Sequence, residues 1–259
     1  MKICVTGGCG YVGSALIPHL LANNHQVVVL DTQWFGNGFL PGNENLKVYK
    51  ADLRDQEILE QALKGCTAII HLAGMTNNGE CEKNPTEAEA INQSAFESLI
   101  RIAHNFGVKR FIFPSSAAAY GNSGKPLGED EPLQPTTPYG RYKAACEAML
   151  RVSKLKWFIL RPAGVFGYAP RMRFDLTVNM MTAYAVLKGE ILVAGGEQVR
   201  PHVHIRDLID VILRLLTANM ESDVFNVVYA NQTIERTARI VEKTVGKWLK
   251  RDISVLVSE

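Results

Sequence analysis

The chain has 259 residues, 47% of them hydrophobic, which suffices for one sizeable core or a core with a smaller lobe. A net charge of +2 gives no basic field for nucleic acid, and no run approaches the roughly 18 uninterrupted apolar residues of a membrane span. Cys4, Cys9, Cys66, Cys81 and Cys146 are scattered without a C-x-x-C pair, so neither a zinc site nor a disulfide framework is indicated, and reduced thiols in a cytoplasmic protein are expected. In chain order, the pattern predicts a buried strand over Lys2–Thr6, a helix over Tyr11–Ala22 and a strand over Gln26–Leu30, which together make a complete βαβ unit. It continues with a strand at Leu46–Tyr49, a helix at Gln56–Leu63, a strand at Ala68–Leu72 and one long helix over Thr86–Phe106. A strand at Phe111–Phe113, a helix at Tyr139–Val152 and a strand at Trp157–Leu160 follow. The first strand is too short, and lacks a following cleavage site, to act as a secretion signal.

Strands separated by helices imply an α/β fold of the Rossmann type, a doubly wound parallel sheet with helices on both faces. The periodicity weakens after Arg161. The dinucleotide domain is therefore set at residues 1–161 with a return segment near 200–228, and a smaller mixed substrate lobe at 162–199 and 229–259. Within that tail, helices are expected near Asp175–Lys188, Asp207–Leu216 and Ile234–Thr244, and a strand at Asp252–Val257.

Gly7, Gly10 and Gly13 of TGGCGYVG stand in G-x-x-G-x-x-G spacing between the first strand and the first helix. Glycine there permits a tight turn, lets backbone approach a pyrophosphate, and aims a helix N-terminus at the phosphates. The placement inside a βαβ unit makes the fingerprint specific. Asp31 ends the second strand, where a carboxylate accepts hydrogen bonds from a ribose diol and repels a 2′-phosphate, which favours NAD over NADP.

Tyr139 and Lys143 form Y-x-x-x-K, so on a helix the ammonium lies one turn from the phenol and favours its ionised form. Upstream, FIFPSSAAAYG ends a strand with Ser115 and Ser116, at the sheet edge where such folds place chemistry.

With these residues in this order, the chain resembles the extended short-chain dehydrogenase/reductases, specifically the NAD-dependent sugar-nucleotide epimerase/dehydratase group. The resemblance runs from Met1 to about Val257 and includes TGGCGYVG, Asp31, ADLRD (Ala51–Asp55), HLAG (His71–Gly74), Asn92, SSAAAYG, YGRYK (Tyr139–Lys143), LRPAGVFG (Leu160–Gly167), RPHVHIRDL (Arg200–Leu208) and VFNV (Val224–Val227). It implies NAD held by Gly7, Gly10, Tyr11, Val12, Gly13, Asp31, Asn92 and Ser115, with Asp52 and Leu53 at the adenine. It further implies Leu72, Ala73 and Gly74 beside the pyrophosphate, and Pro162 and Val165 at the nicotinamide. Ser116 matches the catalytic serine, Tyr139 the general base, and Lys143 a residue that also binds the nicotinamide ribose. Arg200 matches a clamp on the nucleotide diphosphate of a nucleotide-sugar substrate, and Thr76 and Asn77 are candidate sugar contacts.

Ala117 and Ala118 occupy the positions where dehydratases of the group carry an acid pair, so SSAAAYG looks most like the epimerase version. The expected reaction is transient oxidation to a keto sugar and hydride return to the other face. A reductase of a keto-deoxy sugar nucleotide, a 4,6-dehydratase and a non-catalytic dinucleotide sensor are the alternatives. Arg171 and Arg173 of RMRFD are candidate diphosphate ligands or a solvated basic turn, and WFGNG (Trp34–Gly38) either wraps the adenosine edge or is a plain loop. His202-x-His204 lacks a third ligand cluster and reads as a structural strand rather than a metal site, and Met172, Met180 and Met181 read as packing. The group often pairs helices into a homodimer, here through Thr86–Phe106 and Tyr139–Val152, with Ile91, Ala95, Leu99, Ile102, Ala145 and Met149 available. Relatives of the group usually continue beyond the position of Glu259 with elements that close the sugar pocket, so either this member is short or the sequence stops before its tail, and the small lobe is expected to be incomplete.

Overall fold

The computed structural model describes residues 1–258. The chain runs β1 (Lys2–Thr6), α1 (Tyr11–Ala22), β2 (Gln26–Asp31), β3 (Leu46–Lys50), α2 (Gln56–Leu63), β4 (Ala68–His71), α3 (Asn78–Lys83) and α4 (Pro85–Glu89). A π-helical turn over Ala90–Ser94 leads into α5 (Ala95–Asn105), then β5 (Arg110–Pro114), a 3₁₀ turn (Ala117–Tyr120), α6 (Pro138–Arg151) and β6 (Trp157–Pro162). The remainder is β7 (Gly164–Phe166), α7 (Thr177–Lys188), β8 (Glu190–Ala194), β9 (Val199–His204), α8 (Ile205–Thr217), β10 (Asp223–Val227), β11 (Ala230–Thr233), α9 (Ile234–Leu249) and β12 (Ser254–Ser258).

Seven strands form one sheet in the order β10-β6-β5-β4-β1-β2-β3. The registers β1–β2, β2–β3, β1–β4, β4–β5 and β5–β6 are all parallel. The expected Rossmann-type sheet is therefore present. Strands buried on both faces read as apolar runs, and Ile3–Val5, Val27–Leu30, Ala68–Ile70, Phe111–Phe113 and Phe158–Leu160 are such runs. The chain leaves β1 toward β3 and then returns to its other side at β4. That reversal puts the crevice for a ligand at the carboxyl ends of β1 and β4. Below it, Leu30, Leu59, Ile69, Phe96, Phe111 and Ile159 are packed in one core cluster.

The single long helix expected over Thr86–Phe106 is corrected: it is three pieces, α4, the π turn and α5, preceded by the unexpected α3. In the π turn the amide of Ala95 reaches back to Ala90 O, one residue further than in an α-helix. Ala95, Leu99 and Ile102, named above for a dimer, are buried in the core cluster, whereas Met149 only packs partly against it.

Compact units divide the chain as Met1–Pro162, Ala169–Arg171 and Ile209–Asn226 on one hand, and Ala163–Tyr168, Met172–Leu208 and Val227–Glu259 on the other. The second unit holds β11-β9-β7, with β9–β11 antiparallel and β7–β9 parallel, and the parallel pair β8–β12. Its core joins Met181, Ala185, Ile191, Val193, Ala238, Val241 and Ile253. Among the described residues, no helix is long and apolar enough to cross a membrane.

Candidate functional site

The Gly-rich loop is shaped by what cannot be added to it. Gly7 has φ +72°, and a Cβ there would lie 2.5 Å from the amide nitrogen of Ala73. The loop after β1 therefore touches the loop after β4, which brings Leu72, Ala73 and Gly74 beside Gly7 as expected from the sequence. Gly10 begins α1 with no side-chain cap, and the first turn, which includes Tyr11, Val12 and Gly13, carries no acidic residue. Such a helix start suits a phosphate. Asp31 accepts from the Cys9 amide at 2.9 Å and from the Gln33 amide at 2.7 Å, which fixes its carboxylate beside the loop. Burial and that carboxylate push the Cys9 thiol up to about 12, so it stays protonated and inert. These residues fit a dinucleotide.

Thr6 Oγ1 and His71 Nδ1, at the ends of β1 and β4, are 2.7 Å apart. His71 is buried against Phe96 and Phe113, and burial, with the Lys143 charge adding to it, lowers its pKa to about 3. The imidazole is neutral and structural. Asn92 lies in the π turn and holds Met75 both ways, accepting from its amide at 2.7 Å and donating to its carbonyl at 3.0 Å.

Three side chains of α6 share one face at i, i+4 and i+8: Tyr139, Lys143 and Glu147. Thr137 caps the helix through Gly140 N at 3.2 Å, and Pro138 starts it. Lys143 Nζ donates to Pro114 O at 2.9 Å, at the end of β5. The same ammonium lies 4.5 Å from the Phe113 ring centroid and 5.6 Å from that of Tyr139. Tyr139 and Lys143 line a narrow crevice with Ala73, Asn92 and Phe113. Gly140 allows α6 to press on the 3₁₀ turn, since a Cβ there would lie 2.5 Å from Ala118 O. Ser116 begins that turn and its Oγ accepts from Ala118 N at 3.1 Å. The Ser116 turn and the Tyr139 turn are thus neighbours.

The other sequence candidates have definite places. Asp52 is held by a fork from Arg54, at 2.9 and 2.7 Å, which also keeps its carboxyl below the usual carboxylate range. Leu53 is in the core. Asn77 caps α3 by accepting from Glu80 N at 3.2 Å, and Thr76 beside it is exposed. Arg171 donates its amide to Ser14 Oγ at 3.1 Å and lays its guanidinium 3.6 Å over the Phe35 ring. In the second unit, Val165 pairs with Val203, Arg173 is bonded to Asp175 at 2.5 and 3.1 Å, and exposed Arg200 donates to Gln198 Oε1 at 3.0 Å. His202 Nε2 is 3.3 Å from Thr237 Oγ1, and His204 Nδ1 accepts from the Arg206 amide.

Sequence reasoning missed Gly140, Tyr120, Glu147 and Arg161. Ser115, expected at the cofactor, donates its hydroxyl to Glu147 Oε1 at 2.6 Å. Arg161 reaches the same carboxylate at 2.7 Å and donates to the Tyr120 hydroxyl at 2.6 Å. The available signals are a glutamate four residues beyond Y-x-x-x-K and an arginine in the otherwise apolar strand WFILRP.

A family model described as NAD dependent epimerase/dehydratase matches residues 3–228. UDP-glucose 4-epimerase of Lacticaseibacillus casei is 28% identical, with 100% of this chain and 88% of the relative covered. The solved UDP-N-acetylglucosamine 4-epimerase of Methanobrevibacter ruminantium superposes with a TM-score of 0.88 at 28% identity, over 100% of this chain and 85% of that one. The UDP-glucose 4-epimerase of Thermus thermophilus, solved with NAD, gives 0.84 at 28% identity, over 100% and 86%.

Proposed function

The chain belongs to the NAD dependent epimerase/dehydratase family, and from that premise we propose that it inverts C4 of a UDP-activated hexose. The observation that carries the reading is the α6 face, which sets Tyr139 and Lys143 in one crevice beside the turn of Ser116. The 4-epimerase names of the relatives support the carbon and the nucleotide.

The cofactor is NAD, and when bound it supplies a reversible hydride acceptor. The chain's own residues then handle the proton and the geometry. Tyr139 takes the proton of the sugar hydroxyl as its C–H bond breaks, and Ser116 hydrogen-bonds the same oxygen. Lys143 brings positive charge into the crevice, its ammonium 5.6 Å from the Tyr139 ring centroid. On return, Tyr139 gives the proton back to the same oxygen. Ala117 and Ala118 supply no acid or base, which disfavours elimination of water. The Asp31 charge opposes a 2′-phosphate and supports NAD recycling over an NADP-linked reductase.

For the substrate, Arg200 is the candidate diphosphate ligand, since its guanidinium is exposed and held by only a neutral amide. Arg173 would exchange Asp175 for phosphate, and Thr76 and Asn77 would meet the sugar. Arg171, stacked on Phe35, fits the cofactor side better than the sugar side. A homodimer would use Ile91, Ala145 and Met149, which are only half-buried.

The test has two steps. The nucleotide released on denaturation is identified by mass spectrometry, with NAD near one per chain expected. UDP-glucose and UDP-N-acetylglucosamine are then incubated with the protein and the C4 epimer followed by proton NMR. Release of NADP, or no epimer from either sugar, would overturn the reading.

A further inference from the structure

The side chains of Glu147 and Arg161 are 1% and 2% exposed and form a hydrogen-bonded ion pair inside the sheet-and-helix unit. Arg161 Nη2 meets Glu147 Oε2 at 2.7 Å, and its Nε reaches both carboxylate oxygens at 3.1 and 3.2 Å. Neither residue takes part in the proton chemistry derived above. A dry ion pair is a poor way to gain stability, because desolvation offsets most of the attraction and apolar side chains of the same volume often do better. What such a pair supplies is direction.

Its outer bonds show where that direction is used. On one side Glu147 Oε1 accepts from Ser115 Oγ at 2.6 Å. On the other, Arg161 Nη1 donates to the Tyr120 hydroxyl at 2.6 Å and to Glu129 O at 3.0 Å. The Tyr120 hydroxyl lies 2.8 Å from Asn226 Oδ1, to which it donates. Ser115 is the residue before Ser116, and Tyr120 is the last residue of the turn that Ser116 begins. One ion pair therefore grips both ends of the segment that carries the candidate serine. Glu147 also projects from the same helix face as Tyr139, so serine and tyrosine are referred to one rigid frame.

We propose that Glu147 and Arg161 are positioning residues that hold Ser116 in register with Tyr139. This rests on the reading of Ser116 and Tyr139 given above. The pair acts through Ser115 and Tyr120 and touches no reacting atom.

The experiment is a double-mutant cycle on the holoprotein with UDP-glucose, or with UDP-N-acetylglucosamine if that is the sugar turned over. Glu147→Gln keeps the shape and removes the charge. It is expected to lower kcat about tenfold or more, because small misplacements of reacting groups are costly, with KM and bound NAD per chain unchanged. In a Ser116→Ala background the same replacement should cost less than about twofold. Tyr120→Phe frees the far end alone and leaves the ion pair intact. It should show the same non-additivity at smaller size, and it decides the matter if Glu147→Gln does not fold. Equal losses in both backgrounds, loss of NAD in step with kcat, or unchanged kcat would overturn the inference. Wild-type turnover in Ser116→Ala and Tyr139→Phe would instead overturn the parent reading.

Discussion

The Gly-rich loop and the buried face of α6 are built in opposite ways. At Gly7 the structure depends on a missing side chain, because backbone packs where a Cβ would stand. On α6 it depends on long charged side chains, with Lys143 and Glu147 carried into the interior to meet Pro114 O, Ser115 Oγ and Arg161. The first device brings main chain close enough to hold phosphate. The second fixes angles between elements. In the function proposed above, a cofactor cradle needs proximity, whereas proton transfer needs orientation, and the two constructions match those two needs.

Breaking the charged face should have the largest effect. Glu147→Leu strands a buried guanidinium and should destabilise the fold by about 3–5 kcal/mol in denaturant unfolding. Glu147→Leu with Arg161→Met should recover most of that loss. A double variant as unstable as the single one would mean that the pair holds the fold as well as the angle. Breaking the glycine device comes next. Gly7→Ala forces a positive φ and a backbone clash, and should cost about 2 kcal/mol or more with a fall in NAD per chain.

Acid tests the apolar floor between the two regions. His71 is held neutral in the fold, with its pKa lowered to about 3, while the unfolded chain titrates near 6.5. Only the unfolded chain gains this proton as pH falls below 6.5, so stability is full above that pH and declines as the solution is acidified. By pH 5 the loss should be about 2 kcal/mol. His71→Gln should flatten this part of the wild-type pH–stability curve, and an unchanged slope would assign the loss to other groups. The smallest effect is expected at Asp31. Asp31→Asn keeps both amide contacts and removes the charge, and should shift the NAD-to-NADP affinity ratio by about tenfold, or about 1.4 kcal/mol.

Much of this architecture is readable from sequence because its causes are local. Runs such as QVVVL and AIIH, bounded by turn signals, read as buried strands, TGGCGYVG gains its meaning inside the βαβ unit, and Y-x-x-x-K from its order after that loop and the strand-end serines. The break at Ala90–Ser94 is not readable, since a π turn inserts one residue without disturbing composition or apolar content. Arg161 and Glu147 look like ordinary charges because their meaning lies in a partner on another element, 14 residues away in sequence. Ser115 reads toward the cofactor for the same reason, since nothing local announces a buried carboxylate behind it. Leu53 and Asn77 have structural tasks, in the core and at the α3 cap, that a motif match does not convey.

The five cysteines are all free and all buried. Burial raises the thiols of Cys9 and Cys146 to about 12, and that of Cys66 to about 11. Alkylating reagents attack thiolate, so the native molecule resists them until a segment opens. The chain thus carries its own set of breathing gauges. Cys9 times the opening of the loop after β1, Cys146 the lifting of α6, and Cys66 the loosening of the turn before β4, each resolvable by peptide mapping without adding a label.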